Sequence, residues 1–206
     1  VNSGSVSSSY SKGTIYSYTS ASEYSKVGGL IGQNNGRVNL SFVEGGFNLS
    51  NKDTTQIEVN AIGRVGGFVY ENRGTIKDCY SNVRINSNSP TAGFVFENSG
   101  TITNTYSTSL VRENSLQDMV FVGLDEYGNL NNSGTIESSY FLKGNYTRQD
   151  EQPATMITSI SDFANISTFE NFAFDTDTDG NEVVNSTNGV WFIPSANEYL
   201  SSIQDE

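Results

Sequence analysis

Apolar and polar positions recur along this chain in one frame, which is centred on five Asn-x-Gly tripeptides. A β-branched residue stands two positions after each glycine, and an aromatic residue stands six positions after it. The glycines, which lie 26 to 38 residues apart, are Gly4, Gly36, Gly74, Gly100 and Gly134. Self-similarity at this period is typical of solenoids and propellers, in which each unit covers the apolar face of its neighbour.

Residue types within the units predict short β-strands joined by turns. The units are rich in Gly, Ser, Thr and Asn, and no window has a sustained 3.6-residue apolar stripe. Asn-x-Gly suits a corner, because asparagine tolerates left-handed backbone angles and glycine adopts them without steric cost. The position four after each glycine is mostly polar although strict alternation would turn it inward, so we expect the strand to bend or bulge there. These residues are Ser8, Leu40, Asp78, Asn104 and Ser138.

We predict an all-β fold, a right-handed parallel β-helix with a C-terminal capping segment. If each unit is one coil, equivalent residues stack about 4.8 Å apart. The asparagines then form an amide ladder, and the β-branched and aromatic positions form two interior columns. A propeller is the competing solution, but its blades need about 40 or more residues, and Gly74 and Gly100 are only 26 residues apart.

The chain divides into an array and a tail. Residues 1–145 hold about five repeats, the first of them partial. Polar stretches predict surface loops at 48–60, 86–90 and 112–119. We interpret 146–206 as a C-terminal cap with a short helix and an acidic loop. Apolar residues three apart predict either this amphipathic helix or a series of helical turns, at Ile157, Ile160, Phe163, Ile166 and Phe169. Because an uncovered β-helix end exposes strand edges, we expect the chain to be part of a longer protein.

Charge and composition exclude several classes of partner and chemistry. The net charge is −12, with 11 scattered basic residues, which argues against nucleic acid or an anionic membrane as the main partner. No run approaches the roughly 18 apolar residues of a membrane span, so no direct membrane insertion is expected. The chain has no histidine, which excludes His-dependent triads and His-rich zinc sites.

Cys79 is the single cysteine, so no intrachain disulfide can form. It occupies a slot that serine or threonine fills in the other units. We interpret it as a buried structural thiol, and a reactive or intermolecular thiol is the alternative.

Two units, VGGLIGQNNGRV at 27–38 and VGGFVYENRGTIKDCYS at 65–81, resemble the GLUG repeat. That pattern is roughly Gly-Gly-Leu-Val-Gly-x-Asn-x-Gly, followed by a β-branched residue and Ser-Tyr-Ser. The resemblance covers about residues 1–145, and the tail is similar to the segment that often ends such arrays. Two features depart from the pattern: Ala92-Gly93 replaces Gly-Gly, and the last unit carries about four extra residues.

The resemblance implies a parallel β-helix stalk or adhesive module outside the cell. The family occurs in large secreted or surface proteins of bacteria, including filamentous haemagglutinin-like adhesins and the N-terminal regions of some IgA-cleaving metalloproteases. Its motif specifies the coil and no chemistry.

An acidic stretch in the tail matches the first half of a calcium loop, D-x-D-x-D-G. Hard cations need several oxygen ligands close together, and alternating aspartates with a glycine turn bring carboxylates to one point. The twelfth position, normally a glutamate, is Ser186, so any site is a variant. The predicted Ca²⁺ ligands are Asp175, Asp177, Asp179, Asn181 and Glu182. A solvated acidic turn is the alternative.

Acidic residues in equivalent slots were also weighed as catalytic groups. Glu71 and Glu97 share a slot in adjacent units, and Asp78 shares one with Asn104. A sugar hydrolase needs two carboxylates roughly 5 to 9 Å apart in a cleft, whereas a stacked acid pair beside a turn is more often a solvated edge. We therefore assign no catalytic residue.

The leading hypothesis is a non-enzymatic adhesive or stalk module of a secreted or cell-surface bacterial protein. Its loops would bind a glycan or a protein on a host or neighbouring cell. The alternatives are a β-helical polysaccharide-degrading enzyme of the tail-spike or lyase type, and a passive spacer beside a catalytic domain.

Overall fold

The structure is a computed structural model of the chain, and it describes residues 1–13, 15–17, 25–44, 58–61, 63–87, 90–111, 119–144, 149–163 and 165–172. Within these ranges the fold is all-β, as predicted, and the named strands pair in parallel. The strands are β1 (Ser5–Ser7), β2 (Tyr10–Ser11), β3 (Ile15–Ser17), β4 (Ser25–Gly28), β5 (Ile31–Asn34), β6 (Arg37–Glu44), β7 (Glu58–Ala61), β8 (Gly63–Gly66), β9 (Val69–Asn72), β10 (Thr75–Asn82), β11 (Arg84–Ser87), β12 (Thr91–Ala92), β13 (Val95–Asn98), β14 (Thr101–Ser107), β15 (Leu110–Val111), β16 (Thr135–Leu142) and β17 (Thr155–Ile157).

These strands form four parallel sheets, each of which takes one strand from successive repeat units. The largest has the order β1-β6-β10-β14-β16-β17, with β2 also pairing with β6. The second has the order β15-β11-β7-β3, and the two smaller sheets have the orders β12-β8-β4 and β13-β9-β5. The units from β4 to β15 therefore repeat one succession of short strands, and the last repeat unit contributes β16 with isolated parallel bridges at Met119, Val122 and Asn132.

The register of the largest sheet follows the sequence frame. The β-branched residues pair with one another in adjacent units, Val6 with Val38, Val38 with Ile76, Ile76 with Ile102 and Ile102 with Ile136. The three central members of this column, Val38, Ile76 and Ile102, are fully buried. Facing them inside the core, the rings of Phe68, Phe94 and Phe121 stack 5.0 and 4.8 Å apart.

The asparagines form the predicted amide ladder at one corner. In each step the Nδ2 of one residue donates to the Oδ1 of the next, over 2.8, 2.8, 2.8 and 2.7 Å, along Asn2, Asn34, Asn72, Asn98 and Asn132. Close stacking requires a glycine beside the ladder from the second unit onward, since a Cβ on Gly36, Gly74, Gly100 or Gly134 would lie 1.9 to 2.1 Å from the carbonyl oxygen of the preceding glycine in this series.

The expected bend in the long strands takes the form of one left-handed residue in each unit. The five residues have φ between 43° and 52°, and they are Ser8, Leu40, Asp78, Asn104 and Ser138. Such a residue interrupts the side-chain alternation of a strand. The side chain of the residue directly after it therefore points into the core. Cys79 in that slot is fully buried, as predicted.

The prediction that the aromatic positions form an interior column is wrong. The left-handed residue turns the side chain two positions later outward, so the aromatic rings stack on the outer side of the largest sheet. We call Tyr10, Phe42, Tyr80, Tyr106 and Tyr140 the aromatic column. Its first member, Tyr10, is 64% exposed.

The described part of the tail contains short helical turns, which is one of the two forms predicted for it. Ile157 ends β17, which pairs with β16, and is followed by the four-residue helix α1 (Ile160–Phe163) and the 3-10 turn Ile166–Thr168. Polar side chains divide these turns: the hydroxyl of Ser159 accepts from the N–H of Asp162, and the Oδ1 of Asn165 accepts from the N–H of Ser167. Such side chains compete with helical backbone bonds.

Neither of these turns, nor any other helix in the ranges above, is long and apolar enough to cross a membrane. The predicted boundary between array and tail, between residues 145 and 146, lies outside the described residues.

Candidate functional site

The predicted calcium ligands, Asp175, Asp177, Asp179, Asn181 and Glu182, lie outside the described residues. In the part of the chain that the structure describes, no three His, Cys, Asp or Glu side chains gather closely enough to hold a metal. Calcium binding therefore stays a prediction for the acidic loop alone.

The acidic residues at equivalent positions of adjacent units lie side by side, as expected. Glu71 and Glu97 pair in register between β9 and β13. Glu71 is 9% exposed, and both of its oxygens are engaged: Gln33 Nε2 donates to Oε2 over 2.9 Å, and the Arg73 guanidinium donates to Oε1. A carboxylate held at both oxygens is well suited to fixing the corner and poorly placed to attack a substrate.

Asp78 also meets its predicted neighbour. The Nδ2 of Asn104 donates to the Oδ1 of Asp78 over 3.3 Å. This contact links two left-handed residues of adjacent units, and it gives Asp78 a structural partner.

The predicted surface loops are shorter than their sequence bounds. Residues 58–60 belong to β7, 86–87 belong to β11, and Met119 is buried. The sheet extends into these polar stretches because strand pairing satisfies their backbone groups whatever their side chains. Most of what remains of the three loops lies outside the described residues.

One surface loop is described in full, and it coincides with the extra residues of the last unit. Leu124 and Leu130 form an antiparallel bridge at its base. Between them, Asp125 Oδ1 accepts from the N–H groups of Tyr127 and Asn129 over 2.9 and 2.8 Å, and its Oδ2 accepts from Asn129 Nδ2 over 3.1 Å. The backbone bond from Asn129 is the main reason that the pKa of Asp125 lies below its ordinary value. The loop holds Tyr127 82% exposed.

The aromatic column is the second candidate surface. Its first four rings are nearly parallel: successive centroids from Tyr10 to Tyr106 are 5.3, 4.9 and 4.9 Å apart, with interplanar angles of 10°, 2° and 4°. Each inner ring has a neighbour on both faces, so along its length the column presents ring edges. Aromatic edges carry partial positive charge and favour contact with the faces of other rings or with acceptors.

The tail covers the C-terminal half of this column. Phe163 makes an edge contact with Tyr106 at 5.1 Å, and Phe169 makes one with Tyr140 at 5.0 Å. Phe172 also packs on Tyr140, with its centroid 5.7 Å away. Tyr140 is consequently 5% exposed, against 64% for Tyr10 at the other end.

Charged groups flank the N-terminal half. The ammonium of Lys12 lies 6.0 Å from the Tyr10 centroid and 5.9 Å from that of Phe42, and it pairs with Glu44 at 2.8 Å. The hydrogen bond to Glu44 raises the pKa of Lys12 above its ordinary value. Burial raises the pKa of Tyr80, whose hydroxyl donates to the same carboxylate over 3.1 Å.

Sequence reasoning missed both surfaces. Strict alternation along the strand places the aromatic residues inside, and only the left-handed residue two positions earlier reverses that direction. The extra residues of the last unit carry one usable signal for the Tyr127 loop, because Asp-Glu-Tyr-Gly-Asn is a recognisable turn sequence.

No protein-family model matches the chain, and neither curated proteins nor solved structures gave a match.

Proposed function

We propose that the chain is a non-enzymatic adhesive or stalk module of a large secreted or cell-surface bacterial protein, built as a right-handed parallel β-helix of GLUG-like repeats. The observation that supports this proposal is the in-register pairing of equivalent residues in successive units, from Val6 to Ile136. A chain that repeats one coil can grow into a long, stiff rod without new chemistry.

The mechanism is mechanical and multivalent. Two continuous side-chain arrays, the asparagine ladder and the aromatic column, join neighbouring units in addition to the strand hydrogen bonds. A rod stiffened in this way holds its surface loops at fixed separations. Weak contacts at several loops then combine through high effective concentration, so that total affinity exceeds that of any one loop.

The partner in this proposal is a glycan or a protein on a host or neighbouring cell. The Tyr127 loop illustrates the kind of contact element the module uses. It is held rigid by Asp125, and it presents a large amphipathic side chain at little further loss of conformational entropy on binding.

The second candidate is a polysaccharide-degrading β-helix, which the in-register pair of Glu71 and Glu97 favours. The engagement of both Glu71 oxygens weighs against it. A passive spacer is the third, and it differs from the first only in binding nothing.

One experiment separates the three. The purified chain is incubated with immobilised polysaccharides and host glycoproteins, and both retained protein and released oligosaccharides are measured in the same wells. Retained protein without released oligosaccharides supports the adhesive module. If the Tyr127 loop contacts the ligand, Tyr127→Ala should weaken this retention. Released oligosaccharides that disappear in a Glu97→Gln variant would establish the enzyme. If neither retained protein nor released oligosaccharides are detected, the passive spacer is the function that remains.

The same experiment also tests whether retention depends on calcium. If the predicted acidic loop binds Ca²⁺, chelation lowers retention, and Asp177→Asn reproduces the loss without chelator. Unchanged retention under both conditions would remove calcium from the mechanism.

A further inference from the structure

We propose that the N-terminal half of the aromatic column is a docking surface for an aromatic polypeptide segment of the kind that the chain's own tail provides. This docking surface consists of Tyr10 and Phe42, with the left-handed residues Ser8 and Leu40 as its rim. It shares no residue with the Tyr127 loop, so the inference does not rest on the adhesive role.

The tail demonstrates how this surface is recognised. Phe163 and Phe169, six residues apart in sequence, set their rings at 77° and 74° to the rings of Tyr106 and Tyr140. The backbone N–H of Glu170 donates to the hydroxyl of Tyr140 over 2.8 Å. The tail therefore contacts the column both through its phenylalanine rings and through a backbone hydrogen bond to the hydroxyl of Tyr140.

The rim of left-handed residues supplies the polar contacts. Asn171 Nδ2 donates to Ser138 Oγ over 2.8 Å, and Asn104 Nδ2 donates to the carbonyl oxygen of Asn171 over 3.1 Å. Ser138 and Asn104 both belong to the row of left-handed positions. The tail is therefore held by the column on one side and by this row on the other.

The same two rows continue without interruption to the N-terminal end. Tyr10 stacks on Phe42 at 5.3 Å and Phe42 on Tyr80 at 4.9 Å, in the same near-parallel geometry as Tyr80 on Tyr106. Here the rim residue Leu40 is 38% exposed and Tyr10 is 64% exposed. The N-terminal end of these rows therefore offers a following segment the same kind of ring stack that the tail covers at the other end.

Ring geometry at Phe42 favours a peptide over a sugar. A pyranose stacks its C–H groups on a ring face, and both faces of Phe42 are occupied by Tyr10 and Tyr80. An incoming aromatic ring, in contrast, can pack at a steep angle to the column, as Phe163 and Phe169 do.

The test uses the full chain and a fluorescein-labelled peptide with the sequence of residues 160–172, ISDFANISTFENF, followed by anisotropy. We expect saturable binding that Tyr10→Ala weakens by about threefold to tenfold, the range expected for one lost aromatic contact. Leu110→Ala, which removes an exposed apolar side chain from β15 in the second sheet, should leave the affinity unchanged. A peptide with serine in place of all three phenylalanines should not bind.

A second variant guards against an effect on folding. Leu40→Asp places a charge on the rim, and aspartate readily adopts the left-handed backbone conformation of this position. The variant should weaken peptide binding while its circular dichroism spectrum stays the same as that of the parent chain.

Three results would overturn the proposal. The first is no peptide binding. The second is binding that Tyr10→Ala and Leu40→Asp leave intact, because the peptide would then be exchanging with the tail at Tyr106 and Tyr140. The third is a sugar, such as cellohexaose, that binds in a Tyr10-dependent way while the peptide does not.

Discussion

Removal of one asparagine from the centre of the ladder tests how strongly the repeat units depend on it. Asn72 is fully buried; it accepts from Asn34 over 2.8 Å, donates to Asn98 over 2.8 Å, and accepts from the N–H of Gly74 over 3.3 Å. Asn72→Ala therefore leaves a buried donor on Asn34 and a buried acceptor on Asn98 without their ladder partner.

The expected loss of stability follows from these two groups. Each buried polar group that loses its partner costs about 1 to 3 kcal/mol, so Asn72→Ala should lower the free energy of unfolding by about 2 to 6 kcal/mol. That is a large fraction of the roughly 5 to 15 kcal/mol typical of a folded domain. The matched control is Asn2→Ala, at the half-buried end of the ladder with a single ladder bond, for which we expect about 1 kcal/mol.

Urea denaturation at 25 °C, followed by circular dichroism, measures both losses. The m-value is informative too, because a drop in Asn72→Ala would show that units on either side unfold separately. Asn72→Asp refines the test. The aspartate keeps the acceptor for Asn34 but places a carboxylate oxygen against Asn98 Oδ1. This variant should therefore be least stable at neutral pH. Its stability should recover as the pH falls, because the buried carboxyl group then binds a proton. Equal losses for Asn72→Ala and Asn2→Ala would refute the reasoning.

Three further predictions concern single positions. Leu40→Asn should stabilise the chain by about 0.5 to 1 kcal/mol, because asparagine tolerates a φ of 50° better than leucine does; a lower denaturation midpoint would contradict this. Gly74→Ala should destabilise it by at least about 3 kcal/mol through contact with the backbone of Gly36, whereas Gly4→Ala, with no atom within 4 Å of the added Cβ, should be tolerated. Burial raises the pKa of Cys79 from 9.0 to about 12; since the unfolded thiol ionises first, this group should lower stability by about 1.4 kcal/mol per pH unit between those values. Cys79→Ser should remove that slope, which pH-dependent urea titrations would reveal.

The features predicted correctly from sequence are those that every unit repeats with one residue type. The asparagine ladder and the pairing of Val38 with Ile76 and Ile102 follow from a frame that five units share. The bend at Leu40 and its equivalents was recognised as well, because a mostly polar slot conflicted with strict alternation.

The features missed from sequence depend on backbone angles or on contacts between distant segments. A left-handed residue reverses the alternation beyond it, and residue type alone did not reveal that Leu40 adopts this conformation. The aromatic column was consequently assigned to the core. Its partial covering by Phe163 and Phe169 depends on how the tail packs back on the sheet, which the spacing of apolar residues does not specify.

The most direct test of the proposed β-helix is a distance between its first and last units. Ser5 and Thr135 are exposed, and they are joined in register through Arg37, Thr75 and Thr101. In a Cys79→Ser background, spin labels on cysteines introduced at Ser5 and Thr135 report this distance by pulsed dipolar spectroscopy. Four strand spacings of about 4.8 Å predict a narrow distribution near about 19 Å between the two backbone positions. A broad distribution centred at twice that distance or more would contradict the stacking of one coil per unit.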